Sequence, residues 1–556
     1  MAKKIKVFTE CGPVLEVEEG TRIMDILDDL VAEPREHPIV AAHVENKLVS
    51  LHYMLLHDAH IRLIDLSHPD GQRVYERSLA FLLTYAFQQL FPDKKMNILY
   101  SYRNGIYCEP EMGEPMTPED VQKLKEEMHR LIEKDLPIEQ QTVDEETGIK
   151  IFSSMERRED AVRLFKYMPE HQRIYLYKIG NFMDYSYLPL AYRTGMLSRF
   201  DLLHYPPGLV LILPDRLNPA RVLPLKKQPK LFATFEESKR WAAILGVMDA
   251  GALNRVIASG DVSDFVKIAE ALHEKRIAQI ADEITRDYDR IKIVLIAGPS
   301  SSGKTTFSKR LAIHLRVNGR NPVALSLDNY FLDRDKTPRD EKGELDFDTI
   351  EALDLPLLND HLYKLLRGEE VQIPRFNFKT GKRAETTTPL KLEPDQILIV
   401  EGIHALNPRI SELIPPEKKF RIYVSALTQV NIDSHNRIST SDTRLIRRIV
   451  RDKLFRNHSA KDNLKMWPKV RRAEEVHIFP YQENADTMFN SALIYELAVL
   501  KLYAEPLLEE IGPESPEYAA AVRLIGLLSH FLGMLPDEVP PTSILREFIG
   551  GSSFRY

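Results

Sequence analysis

The feature that most constrains this chain is a short loop set between two stretches of opposite character. Ile293-Val294-Leu295-Ile296-Ala297 is a β-branched apolar run of the kind buried in a parallel sheet. Gly298-Pro299-Ser300-Ser301-Ser302-Gly303-Lys304-Thr305 follows at once, and Phe307 through Leu315 continues as a helix. Strand, loop and helix in that order build a phosphate cradle. Consecutive backbone N–H groups must wrap the oxygens, so Gly298 and Gly303 stand where a side chain would block the approach or the required φ. Lys304 adds a mobile positive charge, and Thr305 offers a hydroxyl to a Mg²⁺ bridging the terminal phosphates. Thr305 opens the helix, whose N-terminal dipole favours anions, and Thr306 follows it. Residues 298–306 are the candidate ATP-binding set.

A second strand separates kinases from other users of this loop. Val323-Ala324-Leu325-Ser326-Leu327 leads into Asp328-Asn329-Tyr330-Phe331, which puts a carboxylate at the edge of the sheet where open α/β folds bind ligands. Asp328 there can accept the proton of an attacking hydroxyl or hold a water on Mg²⁺. Gln396-Ile397-Leu398-Ile399-Val400 is another buried strand that ends in an acid, Glu401, the second candidate on the metal side with Thr305. No Asn-Lys-x-Asp occurs after residue 290, so the usual guanine-reading element of GTPases is missing. Further on, Arg444, Arg447, Arg448 and Arg451 recur at i, i+3, i+4 and i+7, which predicts four guanidiniums along one helix face, a clamp able to close over a transferring phosphoryl group.

With these motifs goes Asp346-Phe347-Asp348, Leu353-Asp354 and Ile373-Pro374-Arg375-Phe376-Asn377-Phe378, and together they resemble the uridine kinase and phosphoribulokinase group of P-loop kinases over residues 291–500. The resemblance implies ATP and Mg²⁺, catalytic roles for Lys304, Asp328, Arg448 and Arg451, ribose hydroxyls held by Asp348, and a base flanked by Phe376. It also shows departures. Phe376, Asn377 and Gly381 stand where uridine kinases carry a Pro-x-Tyr-Asp-Phe-x-x-His segment, and His458 stands where the lid ends in a base-reading arginine. Losing buried polar groups loosens selection. The expected acceptor is thus a nucleoside 5′-hydroxyl with the base undetermined, and another small alcohol or a sugar phosphate stays open.

The front of the chain reads differently. Residues 4–9 read as a strand, and Val14-Leu15-Glu16-Val17 as its partner after the Cys11-Gly12-Pro13 turn. Thr21 is the expected N-cap of a helix through Ile23, Ile26, Leu27 and Leu30, and strands follow near 39–44 and 60–65. This order resembles the β-grasp TGS domain of threonyl-tRNA synthetases over residues 1–68. The likeness continues through Ser67-His68-Pro69-Asp70-Gly71 into a helix at 76–90, which is similar to the second additional domain of those enzymes, over 69–220. Their editing histidines, four apart on that helix, correspond to Arg77 and Phe81 here, and Lys178-Ile179-Gly180-Asn181-Phe182 has no Cys or His beyond it where editing would want one. The expectation is a retained fold without editing chemistry. Thr117-Pro118-Glu119-Asp120 is a strong helix start. Pro-rich stretches at 206–224 mark a boundary, 235–250 and 262–289 read as helices within a connector at 221–290, and helices at 501–556 close the chain. The last stretch, 515–556, carries no readable chemistry beyond a Gly550-Gly551-Ser552 turn.

The fold class that follows is multidomain, α+β in front and a P-loop α/β domain with a parallel sheet behind, which suits 556 residues. A formal charge of -7 argues against general nucleic-acid binding as the main activity and leaves a local basic face open, so a tRNA- or RNA-linked regulatory protein is the rival reading. Two cysteines, Cys11 and Cys108, make no metal or disulfide framework, and no apolar run approaches a membrane span. A cytoplasmic protein with a small-molecule substrate is expected, with no oligomeric state implied.

Overall fold

The computed structural model describes residues 3–9, 14–31, 35–111, 114–169, 172–340, 343–377 and 380–556. At the front, strands Leu15–Glu18, Lys4–Thr9, Ala59–Asp65, Ile39–Val44 and Lys47–Val49 lie side by side in that order. Ile5 and Val7 face inward while their neighbours Lys4 and Lys6 face out, the alternation a half-buried strand requires. The Cys11-Gly12-Pro13 turn lies outside the described residues. Thr21 does not cap the helix that follows it. Its hydroxyl donates to Glu18 O at 2.8 Å, the chain enters Ile23–Ile26 as a 3₁₀ turn from Arg22, and only Leu27–Leu30 is α-helical. Glu18 O also accepts from Thr21 N at 3.1 Å, so Thr21 turns back onto the end of the hairpin instead of onto the helix.

The next helix starts a full two turns before residue 76, at Pro69–Leu90. His68 caps it, its Nδ1 accepting from Asp70 N at 3.1 Å, with Pro69 supplying a first-turn φ that needs no donor. Histidine is not among the usual capping residues, which hid this start. Thr117 behaves as read: its hydroxyl accepts from Asp120 N while the Asp120 carboxylate accepts from Thr117 N, opening helix Pro118–Glu133. Strands Asp201–Tyr205, Gly208–Ile212, Gly105–Pro110 and Met96–Tyr102 form one antiparallel sheet, so the Pro-rich stretch begins inside an element, with Pro206-Pro207 as its hairpin turn. Helices Pro229–Leu245, Ala250–Ser259 and Val262–Arg286 follow, the first two separated by the left-handed Gly246.

The sheet that carries the loop is five-stranded and wholly parallel, in the order Asn321–Ser326, Gln396–Glu401, Ile293–Ala297, Lys419–Ser425 and Thr487–Asn490. All five residues of Ile293–Ala297 are buried, as a strand covered on both faces must be. One hydrophobic core runs beneath it from Phe152 and Leu164 through Ile277, Phe307 and Phe489 to Leu524 and Phe548, so the segments that differ in sequence character pack as one body. Among the described residues no helix is long and apolar enough to cross a membrane.

Arg77, one of the two positions matched to the editing histidines of the resembled domain, is held by the second half of the chain. Its guanidinium donates to His435 O at 2.9 Å and to the Asn436 side chain, both in the stretch just before helix Thr440–Arg456. Around them Arg158 pairs with Asp184, Asp160 and Asp433, and His435 Nδ1 pairs with Asp184, all buried. Phe81 packs on Phe182 with centroids 5.1 Å apart. Of these two positions only Arg77 meets the second half of the chain.

Candidate active site

The loop is shaped by close contacts. A Cβ on Gly298 would lie 2.2 Å from Val424 O, and Gly303 has φ +76° with its missing Cβ 2.5 Å from Ile544 Cγ2, so neither position admits another residue without displacement. Three consecutive carbonyls are then held from behind. Arg444 Nη1 donates to Ser300 O at 3.1 Å, Arg447 Nη1 to Ser301 O at 3.4 Å, and Ser491 Oγ to Ser302 O at 2.5 Å. Anchoring these carbonyls sets the peptide planes and hence the direction of the amides between them. Lys304 and Thr305 begin helix Lys304–Val317 half-buried.

Two acids converge on the loop from neighbouring strands. Ser326 and Glu401 are register partners, and Ser326 Oγ donates to Glu401 Oε1 at 3.1 Å while accepting from Asp328 N at 3.3 Å. One hydroxyl thereby ties the Glu401 carboxylate to the backbone of Asp328. Burial pushes the Glu401 carboxyl up from its ordinary value, Lys304 pulls it down and Asp328 pushes it up again. Asp328 reaches solvent at one side yet is surrounded by protein on the others, which pushes its carboxyl up against the pull of Lys304 and Arg456. Among the described residues Glu401 Oε2 is buried without a hydrogen-bond partner. An unpartnered carboxylate oxygen that feels a second carboxylate, Asp328, supplies hard oxygen donors of the kind Mg²⁺ takes.

The arginine face divides in two, which corrects the four-guanidinium clamp. Arg444 and Arg447 are 1 % and 0 % exposed and pair with the buried Glu474 and Glu496. They scaffold the loop from behind and cannot close over a ligand. The reason is that these two acids, on elements later in the chain, turn that side of the helix into the interior. Arg448 and Arg451 are half-buried; Arg448 donates to Ser300 Oγ at 2.9 Å and to Asn463 Oδ1 at 3.0 Å, and Arg451 to Asp452 Oδ1 at 2.8 Å. His458 lies exposed past the left-handed Asn457, tied through its backbone N–H to Asp452 O at 3.1 Å, and the structure brings its ring to none of the other candidate residues.

On the other side of the cleft, burial and the neighbouring Asp346 push Asp348 up to about 6, against the pull of Arg448. Phe376 forms a two-residue strand pairing with Lys382–Arg383, its ring 5.6 Å from that of Phe331. Phe378 lies outside the described residues. Sequence reasoning missed several participants. Glu474 accepts from Ser300 N at 3.1 Å. His404, 2 % exposed, is pushed down to about 4 by burial and by the neighbouring His477, so it is neutral at pH 7 beside Asp348. Arg456, the last residue of helix Thr440–Arg456, pulls on Asp328. Thr306 donates its amide at 3.1 Å, and its hydroxyl, to Glu547 of the C-terminal segment that carried no readable chemistry. Only Glu474, two residues from the Arg471-Arg472 pair, had a local charge signal.

Residues 293–496 match the model of the Phosphoribulokinase / Uridine kinase family. That match supports a P-loop phosphotransferase acting on an alcohol acceptor. The N-terminal region instead matches Threonine--tRNA ligases. That of Acetivibrio thermocellus is 30 % identical over 201 residues, covering 36 % of this chain and 31 % of the ligase. That of Desulforamulus reducens is 28 % identical over 199 residues, with the same coverage of 36 % and 31 %. The chain therefore spans less than a third of the length of these relatives. A solved structure described as a possible uridine kinase from Bacillus stearothermophilus shares 18 % identity over 38 % of this chain and 97 % of that one, at a TM-score of 0.26.

Proposed function

We propose that residues 291–500 form an ATP-dependent kinase that transfers the γ-phosphoryl group to the 5′-hydroxyl of a nucleoside. The observation that carries this reading is the convergence of Lys304, Asp328 and Glu401 at one edge of the parallel sheet, with Glu401 Oε2 buried and unpartnered. The loop amides and Lys304 bind the phosphates, and Arg448 and Arg451 offset the charge that builds as the group moves. Asp328, its carboxyl raised by its surroundings, takes the proton of the acceptor hydroxyl as the new O–P bond forms. The bond from the γ-phosphorus to its bridging oxygen breaks, and ADP leaves. Thr305, Glu401 and Asp328 would hold Mg²⁺, which when bound neutralises phosphate charge. Asp348 accepts hydrogen bonds from ribose hydroxyls and Phe376 packs on the base, while the neutral His404 offers a further buried partner.

Replacing Lys304 with Ala should abolish ADP release with any acceptor while leaving the melting temperature within a few degrees of the parent; retained turnover sinks the assignment. A panel of nucleosides, sugar phosphates and simple alcohols in the same assay decides the acceptor, and a sugar phosphate as sole substrate would replace the nucleoside.

A further inference from the structure

The amide of Thr306 is the third N–H of the helix that opens at Lys304, and it belongs to the group of donors that a helix start presents to phosphate. Here a carboxylate holds it. Glu547 accepts from Thr306 N at 3.1 Å and from Thr306 Oγ1 at 2.5 Å, and Tyr556 Oη lies 2.8 Å from the same hydroxyl. The arrangement is built from both sides. Ile544, Leu545 and Phe548 are fully buried, Ile544 against Gly303 and Phe548 under Arg447 at 4.9 Å, so the backbone that carries Glu547 is anchored to the loop. Glu547 itself is only half-buried. Tyr556 closes over it, braced by Ser552 Oγ at 3.0 Å and by Lys309 Nζ at 5.8 Å from its ring.

We infer that Glu547 is an internal phosphate mimic: its carboxylate occupies the position at Thr306 that a nucleotide phosphate oxygen takes, and nucleotide binds only as that side chain swings out from under Tyr556. This rests on the reading of residues 298–306 as a nucleotide site. A carboxylate and a phosphate are alike in charge and in accepting from an amide and a hydroxyl at once, and they cannot share one donor pair. Each nucleotide that binds must therefore displace a charge-assisted contact, which lowers affinity by the fraction of time the position stands free. Removing the carboxylate should tighten binding.

The test is the affinity of full-length protein for ADP, by calorimetry, in the parent, Glu547→Gln and Tyr556→Phe. Glu547→Gln keeps the shape and loses the charge, and should bind ADP about tenfold more tightly. Tyr556→Phe should tighten it by a smaller factor. In the parent, ADP should also raise amide hydrogen exchange at residues 550–556, which a purely structural Glu547 would not do. ADP binding to the parent with no tightening in Glu547→Gln, and no change in exchange, overturns the inference and leaves the nucleotide site standing. Absence of ADP binding in all three folded proteins overturns both.

Discussion

Glu474→Gln should destabilise this protein more than any exposed charge change and should loosen the phosphate loop as it does so. Glu474 and Arg444 are each 1 % exposed and meet at 2.7 Å between Oε2 and Nη2, with Arg471 at 2.9 Å on the same carboxylate. At an effective dielectric of about 20, charges that close attract by ~6 kcal/mol, most of which offsets the cost of removing both from water. Neutralising Glu474 strands the Arg444 charge in the interior, at a cost of roughly 3–5 kcal/mol. For a chain of 556 residues that packs as one body, that is a fall in melting temperature of roughly 3–4 °C. Calorimetry of Glu474→Gln, Arg444→Met and the double variant Arg444→Met/Glu474→Met measures it. The double variant should recover much of the loss, because no lone buried charge remains and Arg471 keeps Glu475 at 3.0 Å. Ser300 N and Ser300 O are the two loop atoms this pair holds, so Glu474→Gln should also weaken ADP binding. A single variant within ~1 kcal/mol of the parent, or a double variant as unstable as the sum of the singles, would refute the reasoning.

Acceptor binding should depend on pH through Asp348. Its folded-state value of about 6 lies above the ordinary carboxyl value, so its contribution to stability is present below pH ~4 and is lost as pH rises through 6, while the ionised form that accepts ribose hydroxyls appears over the same range. The acid limb of kcat/KM for the nucleoside should fall near pH 6 and disappear in Asp348→Asn; a flat profile in the parent rules this out. Arg77→Ala leaves the buried carbonyl of His435 and the Asn436 side chain without their donor, and should cost about 1–3 kcal/mol in urea unfolding and speed proteolysis near residues 431–439. Unchanged stability would show that the two halves do not lean on this contact.

The parts of the site that were legible in the sequence are those whose cause is local. An apolar run that ends in an acid announces both the strand and the edge at which its carboxylate lies, so Asp328 and Glu401 could be placed before their hydroxyl bridge through Ser326 was seen. Glycines flanking the loop speak for their own φ and clearance. Helical spacing likewise put four arginines in one arc, but it could not say which side of that arc is interior. That depends on Glu474 and Glu496, 30 and 49 residues away, and on Ser491 behind the loop. Glu547 is farther still, 241 residues from Thr306, with no period or motif to link them. His68 escaped notice for a chemical reason, since an imidazole nitrogen seldom caps a helix. Arg77 belongs with these distant cases. A residue standing where the resemblance implies a histidine reads in isolation as a lost function, yet its guanidinium carries two donors into the stretch that leads to the lid helix. The same stretch holds Asp433 and His435 in the buried network of Arg158 and Asp184. The front half is thereby tied to the residues just before the helix whose arginines hold Ser300 and Ser301.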